Sequence, residues 1–427
     1  MADLNECGQV RWRHLTIASG RLNWPVHTAV LCLWSLVSAG VAGAQLHVFD
    51  PAEGVNGKLG QLRDEFKKIR EGGERDWHYG AYVDVGYLPN LSHPDADQWR
   101  SKTTDFKLNS LEANMALAYI RKEANPIGTR WGGEFGVMGG VDSEGLLPQN
   151  NPDTISGADT LRHFHRANLS YLFPVGNGLK LTGGLMNSYI GYDSFLAKNN
   201  PNYTRGYLLD NVPYFLFGLE ALYPVTDTVT LGFYVVNGYD YLTAPNNLPS
   251  YGFHAVWEAT PALTVVQNLY YGPDQSNTDL RYWRFFSDSI VEWKHDDWLV
   301  AASYDIGTEE QAGTPGHPQD VWMSGAVWAR RHLQGPWSLA VRPEFYWDPQ
   351  GLITGAKQLI WALTGTLEYR IRVISKHTVT AKLEYRFDRS TGSGGGFFTG
   401  QQISPGVPQL TPNQQLVILG LMWAFDS

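Results

Sequence analysis

The chain has 427 residues, of which 13% are aromatic and only 18% charged, with 45 glycines and a formal net charge of −9. An acidic chain without a basic face speaks against nucleic-acid binding. Glycine, asparagine and proline at short intervals favour an all-β protein over a helical one.

Both cysteines, Cys7 and Cys32, precede residue 45. Arg11, Arg13 and Arg21 lead into an apolar run from Ala29 to Ala44, and Ala42-Gly43-Ala44 fits a small-x-small cleavage site. Residues 1–44 therefore read as a cleaved export signal. The mature chain then has no cysteine, which excludes disulfides, thiolate catalysis and cysteine-zinc sites. Beyond Ala44 no stretch approaches the ~20 apolar residues of a membrane helix. A β-barrel stays open to the reading, because alternating faces keep its mean hydropathy low.

Residues 45–77 form a periplasmic leader. Leu59, Leu62, Phe66 and Ile69 recur at helical spacing with charges between them, giving one amphipathic helix. Three roles stay open for it: a periplasmic cap or leader, a plug in the barrel mouth, or a short trimerising coil. The apolar spacing covers under two heptads, which is little for a coil.

From residue 78 to 427 the period changes to two. Strands are expected near 78–88, 108–121, 129–139, 160–173, 178–187, 213–223, 229–238, 249–259, 263–272, 283–294, 297–307, 319–331, 337–348, 356–372, 377–388 and 413–425. That makes sixteen, with fourteen or eighteen as the neighbouring counts. In Val379–Asp388 the odd positions Val379, Ala381, Leu383, Tyr385 and Phe387 are apolar. The even positions Thr380, Lys382, Glu384, Arg386 and Asp388 are polar. One face suits lipid and the other suits water. Connections alternate long and short. The short ones carry turn formers such as Asn125-Pro126, Gly176-Asn177 and Gly335-Pro336. Such sorting belongs to an up-and-down transmembrane antiparallel β-barrel with tight periplasmic turns and longer outer loops. Tyr79, Tyr171, Tyr271, Trp283, Trp293, Trp298, Trp337 and Trp347 fall near strand ends, as interfacial girdles do. In the alternative reading of a non-transporting barrel, the Gly-rich Ser390 to Gly396 and the Pro-rich 405–412 form a flexible surface epitope.

Val417, Leu419, Leu421, Trp423 and Phe425 share one face of the final strand. This resembles the C-terminal signal read by the barrel assembly machinery, except that Asp426 and Ser427 follow the aromatic. Asn187, Ile190-Gly191-Tyr192, Asn199-Asn200, Tyr203-Thr204-Arg205-Gly206-Tyr207, Pro213 and Gly218 resemble the outer-membrane β-barrel porins of the OmpL-like type. So does Val235-Val236-Asn237-Gly238-Tyr239-Asp240. The departures are Thr204, where Ser is expected, and Tyr239, where Trp is expected. The resemblance implies a channel-forming fold in a Gram-negative-type outer membrane. It brings no catalytic set and no established substrate.

By analogy with general porins, the third long connection, 188–212, enters and narrows the barrel. Asp193, Lys198, Arg205 and Asp210 are the candidates for that constriction. Strand parity points Arg162, Arg166, Arg284, Arg342, Glu344, Arg370, Lys382, Glu384 and Arg386 into the lumen, along with Asp84, Glu112, Glu134, Lys180, Glu220, Asp288 and Glu292. Such a lining gives a transverse field and weak ion selectivity; an alternative is a salt-bridged ladder that stiffens the wall. His163-Phe164-His165 is the one tight histidine pair and lacks a third ligand, so neither metal nor cofactor is expected. Nucleophile-elbow, Walker and zinc-protease patterns are absent, so no enzyme is expected. The reading is a passive outer-membrane porin for ions and small hydrophilic solutes. The alternative is a non-transporting structural or adhesive barrel. A homotrimer is the usual assembly of general porins.

Overall fold

A computed structural model describes residues 57–426 except 74–76, 95–96, 146–161, 276–277, 279 and 375. The export signal at 1–44 lies outside the described residues, as does most of the second long connection.

Sixteen strands close into one antiparallel barrel: β1 (Trp77–Tyr87), β2 (Leu111–Lys122), β3 (Trp131–Gly139), β4 (Phe164–Phe173), β5 (Leu179–Asn187), β6 (Phe215–Pro224), β7 (Val229–Val236), β8 (Ser250–Glu258), β9 (Leu263–Gly272), β10 (Arg284–His295), β11 (Trp298–Glu310), β12 (Gln319–His332), β13 (Trp337–Asp348), β14 (Gln358–Ile374), β15 (His377–Thr391) and β18 (Asn413–Asp426). Neighbours in sequence are neighbours in the wall, and β1 pairs with β18 to close it, Gly80 opposite Asp426 and Tyr87 opposite Leu419. Each of the sixteen expected strands is present. The last long connection holds an additional hairpin, β16 (Phe397–Ser404) with β17 (Val407–Thr411), outside the barrel sheet. Most of this hairpin beyond its root is exposed. Phe397 is buried and anchors the hairpin's root.

The faces are inverted relative to a soluble protein. On β14, Trp361 and Leu363 are 53% and 52% exposed, while Thr364 and Thr366 between them and the next turn are buried. On β15, Leu383 and Tyr385 point out, and Lys382, Glu384 and Arg386 point in. Water would penalise that exterior, whereas hydrocarbon solvates it. Aromatic pairs ring the short-turn end: Trp77 with Trp131, Trp337 with Tyr369, and Tyr79 with Phe425, at 6.2, 4.8 and 5.7 Å between ring centres. Tyr271 and Trp283, 4.5 Å apart, mark the long-loop end. Replacing Leu363 by Arg is expected to cost roughly 2–4 kcal/mol of insertion free energy, read from folding equilibria in lipid vesicles. An unchanged equilibrium would place this face in water.

One point of the wall depends on glycine. Gly184 on β5 faces Gly218 on β6. Gly184 has φ 122°, and a Cβ there would lie 2.3 Å from the Ala167 carbonyl oxygen; one on Gly218 would lie 2.2 Å from that of Val235. L-residues avoid this backbone region at a cost of roughly 1–3 kcal/mol. Gly184→Ala is therefore expected to lower the midpoint of the heat-induced gel-mobility shift.

A fourteen-residue helix, α1 (Lys58–Glu71), lies inside the barrel. Its stripe of Leu59, Phe66 and Ile69 is buried against an apolar seat on the inner wall formed by Leu172, Leu222, Val256, Val266, Ile290 and Trp328. Arg63 pairs with Glu292 of β10 at 2.7 Å and bonds Thr264 of β9 at 3.0 Å. Lys68 pairs with Glu123 at 3.1 Å, and Lys180 of β5 pairs with Glu65. Of the three roles left open above, this position is that of a plug. The seat explains it: an inner wall bearing leucine, valine and tryptophan is poorly wetted unless something apolar covers it.

Candidate functional site

The connection from β5 to β6 folds into the barrel above α1. It carries a single 3-10 turn at Ala197–Asn199 and the short helix α3 (Tyr207–Asp210). Tyr203, Thr204, Arg205 and Tyr207 are fully buried there. Loop backbone inside a barrel needs partners for its polar groups, and the wall of β13–β15 supplies them. Arg342 donates to the Thr204 carbonyl at 2.6 Å, and Arg370 to that of Lys198 at 2.7 Å. Lys382 donates to the carbonyls of Ala197 at 3.0 Å and Asn200 at 2.5 Å. Acidic neighbours take the amides: Glu384 accepts from Tyr203 N at 2.7 Å, and Glu344 from Tyr207 N at 2.7 Å. Arg386 ties this set together, pairing with Glu344 at 3.0 Å and Asp388 at 2.8 Å beneath the rings of Trp99 and Tyr207.

The four loop residues named from sequence all sit within the barrel. Asp193 accepts from Gly206 N at 3.1 Å and faces Arg342 at 3.6 Å. Lys198 reaches Asp426 at 2.7 Å. Arg205 is gripped on both sides, by Asp105 at 2.9 Å and Asp142 at 2.7 Å. Asp210 pairs with Lys102 and accepts from Thr104 Oγ1 at 2.7 Å. Asp105 and Lys102 belong to the first long connection. Asp142 lies on the short helix α2 (Val141–Gly145) after β3. Three connections are thus knotted by charge. Burial raises the Asp105 and Asp142 carboxyls, with the Arg205 guanidinium opposing it.

The wall residues divide. Arg342, Glu344, Arg370, Lys382, Glu384 and Arg386 meet beneath the loop. Arg284 lies apart at the long-loop end, pairing with Glu309 at 2.8 Å over the Tyr239 ring. Arg162 precedes β4 outside the strand. Arg166 points into a separate cavity. His163 Nδ1 lies 3.1 Å from the Met138 carbonyl, and the His165 ring lies against Phe195, so the histidine pair is split. No group of three metal-ligating side chains occurs among the described residues.

The separate cavity, of about 240 Å³, runs between the polar side of α1 and the wall of β2–β7. Lys122 and Glu123 line it at the turn end, and Met186 to Tyr189 at the root of the loop. Along β5 its lining runs from Lys180 to Asn187, roughly 17 Å of barrel height for a tilted strand. Glu134, Arg166, Lys180 and Glu220 face it from the wall, and Lys58 and Glu65 from α1. Burial lowers the Lys58 ammonium to about 7, with Asp288 opposing. Sequence reasoning offered a plug as one role of α1 and missed the contributions of Lys102, Asp105 and Asp142. Parity describes strands and carries no signal for which connection enters the lumen.

A closed sixteen-strand barrel with an apolar exterior, a charged interior and an inward-folded third long connection defines the porin class of outer-membrane proteins. The chain belongs to the family described as "Putative beta-barrel porin-2, OmpL-like", whose model matches residues 77–425. Its fold is similar to that of an anion-selective porin from Comamonas acidovorans, at 12% identity over 82% of this chain and 99% of that one, with a TM-score of 0.50. An OmpF of Salmonella typhi, solved with daunomycin, aligns at 11% identity over 82% and 97%, with a TM-score of 0.49. No curated protein matches the sequence.

Proposed function

We propose that the protein is a passive outer-membrane pore for ions and small hydrophilic solutes. The observation that carries this reading is the polar cavity beside α1, which reaches from the turn end to the root of the loop. In this reading the cations of β13–β15 hold the loop in place by its carbonyls, and solutes pass along the opposite wall. Nothing in the arrangement couples transport to energy, so solutes move down their gradients. Residues 1–44 direct export, the final strand engages the barrel assembly machinery, and the barrel assembles as a homotrimer.

Recording the mature chain in planar bilayers tests the reading. Discrete steps whose size grows with salt concentration are expected. A correctly folded, heat-modifiable protein that gives no steps would overturn it. One observation favours the second reading, a non-transporting barrel: the loop and α1 fill much of the lumen with buried tyrosine and leucine. Absence of any solute flux in liposomes would select that reading.

A further inference from the structure

The cavity beside α1 holds two opposite charges, Arg166 and Glu134, that make no direct ion pair with each other among the described residues. The Nε of Arg166 is buried without a hydrogen-bond partner, and Arg166 forms no ion pair among the described residues. Its Nη1 donates only to the neighbouring His165 carbonyl. Arg166 is aimed there by strand parity, two residues from Asn168 on the inner face, and an irregularity in the wall lies just beyond it. The β3–β4 register shifts between Gly136, opposite Arg166, and Val137, opposite Phe164, leaving His165 as the additional residue. His165 and Arg166 are therefore both buried, where regular alternation would expose one of them. Bulges of this kind re-aim a side chain and recur beside functional sites.

Glu134 is the acidic counterpart. It faces Asn168 on β4, which makes it the diagonal neighbour of Arg166 on the inner face. Diagonal positions lie roughly 7–8 Å apart, within reach of long side chains, and Glu134 is the opposite charge that acts on Arg166, yet no direct hydrogen bond or ion pair joins the two among the described residues. Arg121, opposite Glu134 on β2, pairs with Glu123 at 3.0 Å instead. A buried cation and a half-buried anion that do not touch leave hydrogen-bonding groups for water or a solute to bridge. Lys180 and Glu65 pair with each other across the cavity and leave this diagonal as the open one.

We propose that the cavity is a binding site for small zwitterionic solutes of the amino-acid and short-peptide class, with the solute carboxylate on Arg166 and its ammonium on Glu134. This rests on the pore reading above and names a solute class for it. A solute with the two charges a few bonds apart spans the diagonal and completes both hydrogen-bond sets. A singly charged ion satisfies only one of them. A neutral solute of equal size meets the cost of displacing water from both. The site sits between α1 and the wall, so every solute on this path passes it.

Liposome swelling with the mature chain tests this, using L-alanine and glycerol as probes of similar size. Alanine is expected to enter faster than glycerol. Arg166→Gln and Glu134→Gln are each expected to reduce the alanine-to-glycerol ratio by about tenfold, the loss for one charge-assisted hydrogen bond. Heat modifiability should stay unchanged, and the double variant should lose little more of the ratio than either single one. Equal wild-type rates, or a ratio untouched by both substitutions, would overturn the proposal while leaving the pore standing. No entry of either probe removes the pore and this site together.

Discussion

Deleting residues 57–73 is expected to raise single-channel conductance roughly two- to fourfold, because a helix with its side chains fills a column about 10–12 Å across. The deletion removes α1 from its seat and leaves Leu172, Leu222, Val256, Val266, Ile290 and Trp328 facing the lumen. Stability falls for the same reason, since Leu59, Phe66 and Ile69 lose their burial. Phe66→Asp reaches the same end by another route. It forces a carboxylate into the apolar seat beside His254, whose ring lies 6.5 Å from that of Phe66. Both variants should open the channel in planar bilayers and lower the temperature of the gel-mobility shift. Conductance equal to the wild type in both would mean that α1 does not occupy the path.

Replacing Arg205 by Leu is the second large effect. Asp105 and Asp142 then keep their burial and lose their cation. Breaking such a pair from one side costs roughly 3–5 kcal/mol. The three connections that meet at Arg205 should separate, giving noisy currents and protease cleavage after Lys198. The pH dependence has a definite sign. Burial already raises both carboxyls, and removing the guanidinium raises them further. A carboxyl whose folded pKa exceeds its unfolded value destabilises the fold when ionised, and that penalty disappears as pH falls below the folded pKa. Arg205→Leu should therefore recover quiet currents on acidification. Noise that is indifferent to pH would remove Asp105 and Asp142 from the explanation.

The wall of the barrel was legible because period-two alternation is local. Leu383 and Glu384 declare their faces without knowledge of any partner. The lumen was less legible. Arg342, Lys382 and Arg386 alternate in the same way whether they face water or a loop carbonyl, so their pattern could not distinguish the two. One signal did exist. Val256-Trp257, Val265-Val266 and Ile290-Val291 are apolar on both faces near the turn end. An aqueous lumen has no use for Val256, Val266 and Ile290, and these residues mark the seat of α1. The meeting of Asp105, Asp142 and Arg205 had no such trace. It depends on three connections folding into one space, which no periodicity encodes.

The seam between β1 and β18 joins the two ends of the barrel sequence, with Gly80 opposite Asp426. The wall therefore cannot be completed until the final strand has arrived, and no earlier hairpin substitutes for that pairing. Closing so long a loop is slow. α1 immediately precedes β1, so the same event that shuts the wall decides whether the helix is caught inside. Afterwards its way out is axial, through the turn end. The order of chain arrival thus becomes part of how the barrel acquires its contents.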